Sequence, residues 1–108
     1  MTVRAFQRSV GTNTYAIDCS NVSTAALQIP GGGMALRIAN GGTVAVAVHV
    51  AVESTLPAAV FPTNGNPQLV VVILPGVTEV FTAPADAYVR AITASGTATI
   101  YVTRGEGI

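Results

Sequence analysis

Turn-forming residues cut this chain into short pieces. Gly11, Pro30 to Gly33, Asn40 to Gly42, Asn64 to Pro67, Pro75-Gly76, Pro84 and Ser95-Gly96 recur at fairly even intervals. The segments between them are rich in Val, Ile, Thr and Ala and run to about six to ten residues. An ordinary helix needs a longer run with a period of 3.6, and no convincing run of that kind is present. Short β-branched segments bounded by turn signals predict an all-β sandwich or barrel instead.

The strands follow from alternation. In Thr43 to Val52, the residues Val44, Val46, Val48, Val50 and Val52 share one face, and Ala45, Ala47, His49 and Ala51 share the other. Asn40-Gly41-Gly42 reads as a hairpin turn joining this strand to Met34–Ala39, because Asn and Gly accept the positive φ of tight turns. Gln68 to Leu74 holds the aliphatic run from Leu69 to Leu74, and Pro75-Gly76 turns it into Val77–Thr82. Ala87–Ala94 and Thr97–Thr103 meet at Ser95-Gly96. Thr24–Ile29, Thr2–Gln7 and Thr14–Ile17 complete the set. Ser54 to Pro67, with three prolines, reads as a long loop or a poor edge strand.

The expectation is one domain over residues 1–108: an antiparallel two-sheet sandwich of jelly-roll or Greek-key type, with about eight strands. A membrane barrel also alternates, but it needs a polar lumen face and aromatic girdles. Here the face opposite Val44–Val52 is mostly alanine, and only three Phe and three Tyr are available. No apolar span is long enough for a transmembrane helix. Arg4 and Arg8 interrupt the first ten residues where a secretory signal needs an apolar core. The chain is therefore expected to fold where it is made, or to be exported as part of something larger. Asn21-Val22-Ser23 is then a chance match to the glycosylation pattern.

Two strands carry too much apolar surface for a two-layer sandwich, in which one face of each strand meets water. Both faces of Gln68–Leu74 bear branched aliphatics. The second face of Thr43–Val52 offers only His49 as a strongly polar side chain. Burying the outward half of the Leu69–Leu74 run, roughly 300 Å² of apolar area, contributes on the order of 7 kcal/mol before entropy costs. Left bare, such a run invites aggregation. Either the loop Ser54–Pro67 covers it or neighbouring subunits do. The second reading is preferred, with interface candidates Val70, Val72, Leu74, Ala45, Ala47, His49 and Ala51.

Chemistry is sparse. Only 9% of residues are charged, against roughly 25% in ordinary domains. Five arginines balance five acids without a lysine, a poor basis for binding nucleic acid. With one cysteine and one histidine, a disulfide framework or a cysteine-rich zinc site is excluded, and no cofactor is expected. His49 could serve as a base or metal ligand, but a place on a sheet surface or interface is the plainer reading. Cys19 could be a thiol activated by His49, yet no signature surrounds it, and it reads as a small buried residue. The acids Asp18, Glu53, Glu79, Asp86 and Glu106 are scattered singly, and no serine sits in a nucleophile elbow. Gly31-Gly32-Gly33 lacks the spacing of a phosphate-binding loop. Arg37, Arg90 and Arg104 read as solvated surface charge, with paired contacts between proteins as the other use of arginine. An enzyme is not expected.

Leu36 to Val46 around Asn40-Gly41-Gly42, then Leu74-Pro75-Gly76-Val77-Thr78-Glu79-Val80-Phe81, then Ala91 to Gly107 with its closing Gly105-Glu106-Gly107, together resemble small virion proteins of tailed bacteriophages. The resemblance is one of turns and strands and covers about the C-terminal two-thirds of the chain. It implies a decoration or cement protein on the capsid surface, made in the host cytoplasm. Its partners would be its own copies, as a dimer or trimer, and the major capsid protein, without nucleic acid or membrane. The alternative is a tail or fibre sandwich that recognises a cell-surface glycan, for which Tyr15, Tyr88 and Tyr101 are the available tyrosine platforms.

Overall fold

A computed structural model describes residues 6–8, 14–31, 33–52, 55, 57–84 and 86–106. Among these, nine strand segments form and no helix does. They are β1 (Gln7–Arg8), β2 (Thr14–Cys19), β3 (Leu27–Gln28), β4 (Ala35–Asn40), β5 (Val46–Ala51), β6 (Val71–Ile73), β7 (Thr78–Thr82), β8 (Tyr88–Thr93) and β9 (Ala98–Glu106). The expected strand Thr2–Gln7 falls mostly outside the described residues. The other expected strands are present, several of them shortened at the ends.

All pairings are antiparallel. β1 and β2 pair with successive stretches of β9, on the side away from β4, so they occupy one strand position. One sheet then runs β2-β9-β4-β7 and the other β3-β8-β5-β6. This nested order is the jelly roll, two interleaved Greek keys closed over one core.

That topology corrects the reading of Asn40-Gly41-Gly42 as a hairpin. β4 and β5 lie in different sheets, so the turn carries the chain across the core. The β8–β9 turn at Ser95-Gly96 does the same. From β2 onward, only β5 and β6 are consecutive strands that pair with each other. A turn that accepts positive φ reverses the chain but does not say which sheet receives the next strand.

Asn40 holds one end of the sandwich together. Its side-chain Nδ2 donates to the carbonyls of Val44 and Ile73, both at 2.9 Å, and its Oδ1 accepts from Gly42 N at 2.9 Å. Its backbone N–H donates to Val77 O, and its carbonyl accepts from Gly76 N. One buried amide therefore joins the end of β4, the approach to β5, the end of β6 and the turn into β7. Gly76, at φ 75°, supplies the left-handed residue that this turn needs.

Alternating residues fill the core. Ile17, Leu36, Ile38, Ile100 and Val102 from the first sheet pack against Val46, Val48, Ile73, Val89 and Ala91 from the second. Arg104 does not stay in water as expected: it points inward from β9 and is fully buried. Its guanidinium donates to Ile29 O at 2.7 Å, Ala83 O at 2.6 Å and Pro84 O at 2.7 Å, joining the β3–β4 and β7–β8 connections. Burial lowers its pKa from the ordinary arginine value, and the charge of Asp86 opposes that shift.

Candidate functional site

The interface candidates on β5 are mostly covered by their own chain. Ala47, His49 and Ala51 face outward, opposite Ile92, Arg90 and Tyr88 of β8. Ala47 is nonetheless 0% exposed, which removes it as a contact for any partner. Pro57, Ala58, Ala59 and Val60 lie beside His49 together with Gln68, Leu69 and Val70. Ala59 is itself buried, and its N–H donates to Ser23 Oγ at 2.9 Å, so the segment reaches toward the far edge of the sheet. On β5 the β5–β6 loop of the same chain lies over part of the outer face, so neighbouring subunits are not needed to cover that part. Ala45, Ala51 and His49 are left half-buried.

The candidates on β6 differ. Val72 faces outward opposite Ala47, Val70 is half-buried, and Leu74 is 59% exposed. Leu69 is 75% exposed and Val71, on the core side of the same edge strand, 46%. β7 is the edge of the other sheet on this side, and Val77 and Val80 are exposed there. Between the two edges opens a groove of about 420 Å³, whose apolar lining includes Val48, Val50, Leu69, Val71 and Phe81. No charged residue occurs in the sequence from Pro57 to Thr78. The surface left bare is thus the β6–β7 side of the sandwich rather than the outer face of β5. The exposure of Leu69, Val71, Val77 and Val80 was not foreseen because alternation assigns faces and says nothing of which strand ends up at an edge.

The groups weighed for chemistry stand apart. Cys19 packs into the core from β2, whereas His49 lies on the outer face of the opposite sheet. The core separates them, so His49 cannot activate the thiol. Burial, with a smaller push from Asp18, raises the Cys19 pKa from 9.0 to about 11 against a backbone hydrogen bond from Ile100. A thiol so raised is a poor nucleophile at neutral pH. Among the described residues no three His, Cys, Asp or Glu side chains gather into a possible metal site, and no helix is long and apolar enough to cross a membrane. Glu53 lies outside the described residues.

A second groove, of about 720 Å³, opens where the β4–β5 and β8–β9 crossings rise beside the outer face of the first sheet. Asp18, Thr99 and Tyr101 line it from the sheet, and Gly41, Thr43 and Thr97 from the crossings. Compared with models of known families, with curated proteins and with solved structures, the chain matches none.

Proposed function

We propose that the chain is a non-enzymatic structural subunit of a bacteriophage virion, a decoration or cement protein that binds the assembled capsid. The observation that carries this reading is the bare, largely apolar β6–β7 side, on whose two strands Glu79 is the one charged side chain. Leu69, Val71 and Leu74 are exposed along one sheet edge, Val77 and Val80 along the other, with an apolar groove between them. An open edge strand of this composition is a template for pairing, and proteins that stay single normally blunt such edges with charge. Nothing between Pro57 and Thr78 does so. In this reading further copies of the chain, as a dimer or trimer, cover the edge, and the resulting clamp spans neighbouring coat subunits. Interfaces of about 1,200–2,000 Å² are enough for such contacts. The jelly roll suits the role, although the fold hosts other functions and adds support by analogy alone.

Co-sedimentation tests the proposal directly. The purified chain is expected to pellet with assembled, expanded capsids and not with free coat subunits. Equal partition between the two, or no association with capsids, overturns it. The alternative, a tail or fibre module for glycan recognition, draws on the groove beside Tyr101.

A further inference from the structure

We infer that the groove beside Tyr101 is a binding site for a neutral saccharide. The inference rests on the geometry of that groove and is independent of the shell reading, since groove and bare edge involve different residues. Tyr101 is the one tyrosine of the three that presents itself: Tyr15 packs against the core, Tyr88 is half-buried, and Tyr101 is 46% exposed on the outer face of β9. Its strand neighbours on either side are Ala16 and Ala39, so the two positions paired directly with it carry small side chains. Gly41 continues the clearing. A Cβ at Gly41 would lie 2.7 Å from Tyr101 Cε2, which means that the ring leans directly on glycine backbone. A flat ring with small neighbours is a platform for the C–H face of a pyranose, since tyrosine combines an apolar body with a polar tip.

The rest of the lining supplies what a sugar's hydroxyl rim requires. Asp18 pairs in register with Thr99, one step along the strand face from the Ala16–Tyr101 pair, so Asp18 and Tyr101 are diagonal neighbours on one face, their Cα atoms roughly 7–8 Å apart. Thr99 Oγ1 donates to Asp18 Oδ1 at 2.8 Å and fixes the carboxylate, whose acceptor capacity is not exhausted by one bond. A hydroxyl donating to a carboxylate makes a short, strong hydrogen bond. Thr43, Thr97 and Ser20 add hydroxyls around the rim. The groove falls within the size range of small-molecule clefts, about 300–1,000 Å³.

Charge decides the ligand class. Among the described lining residues Asp18 is the only acidic side chain and none is an arginine, so phosphates, nucleotides and acidic sugars are disfavoured. A lining of hydroxyls and glycine does not suit an apolar ligand either. A neutral polyhydroxyl ring is what remains.

Titration of the isotope-labelled full chain with maltotriose, cellotriose, chitotriose and lactose, followed by amide NMR, tests this. At least one sugar is expected to shift the amides of Gly41, Thr97, Thr99 and Tyr101 saturably. Tyr101→Thr, which keeps a β-favouring side chain on an exposed position, and Asp18→Asn should each weaken that binding at least tenfold while leaving the remaining spectrum in place. Absence of shifts with all four sugars overturns the proposal, as does binding that survives both substitutions. It also falls if no sugar binds and Tyr101→Thr abolishes capsid association, since the face is then a protein contact. A wild-type chain that binds a sugar but does not associate with capsids refutes the shell reading and leaves this one standing.

Discussion

At the scale of single residues, burial converts two side chains from candidate chemistry into architecture. Arg104 has its charge in the interior, where three backbone carbonyls take the place of water. Such a group was not legible in the sequence, where a lone arginine after a strand reads as surface. Alternation from Ile100 and Val102 does place position 104 on the inner face, but the ordinary cost of burying a charge argues the other way. Only the carbonyls of Ile29, Ala83 and Pro84, distant in sequence, reverse the balance. Cys19 was legible, since a small apolar thiol in a strand is usually buried. Its raised pKa gives stability a pH dependence. The unfolded chain releases the thiol proton from about pH 9 upward, whereas the native chain holds it until about pH 11. Stability from this group is therefore complete below pH 9 and falls through the window from 9 to 11, by about 2–3 kcal/mol at its end. Urea melts at pH 8 and pH 11 should show that loss in the wild type. Cys19→Ala should remove this component, and an identical pH slope in the variant refutes the assignment.

At the scale of elements, strands were legible and their partners were not. Period-two patterns and turn residues mark β4, β5, β8 and β9 to within a few residues, because both depend on local sterics and burial. Sheet membership depends on contacts across the molecule, which is why Asn40-Gly41-Gly42 reads as a hairpin and acts as a crossing. The structure shows what makes it a crossing: the Asn40 amide reaches Ile73 on the other sheet, and its main chain is bonded to Gly76 and Val77. Asn40→Ala strips donors from the Val44 and Ile73 carbonyls and the acceptor from Gly42 N. Each buried group left unsatisfied costs about 1–3 kcal/mol, and water can reach part of this site, so a total near 3 kcal/mol is expected. A chemical denaturation curve measures it. A loss under 1 kcal/mol would show that the crossing holds without its amide.

At the scale of the whole molecule, the sequence carried a surplus of apolar strand surface, and the structure divides that surplus in two. The β5–β6 loop covers one part, beside His49. The other part stays bare along β6 and β7. The division was not legible because it depends on where the long β5–β6 loop comes to lie, a matter of tertiary contacts rather than hydropathy. If the bare edge is a contact between copies, it should respond to charge. Leu69→Lys with Leu74→Lys alters two exposed positions, so folding stability should move little. Analytical ultracentrifugation at micromolar concentration is expected to find the wild type as a dimer or trimer and the double variant as a 10.9 kDa species. A wild type that sediments at that same mass removes the self-association.

The position of β9 has a kinetic consequence. It lies between β2 and β4 in its sheet, yet it follows both in the sequence, β4 by a long stretch of chain. While the chain emerges from the ribosome, Ile17, Leu36 and Ile38 therefore wait for neighbours that have not been synthesised. Closing such distant pairings costs loop entropy before any packing offsets it, so maturation belongs to the slow, post-translational regime of strand-rich proteins. During that wait the aliphatic segments are open to chaperones and to misassembly alike.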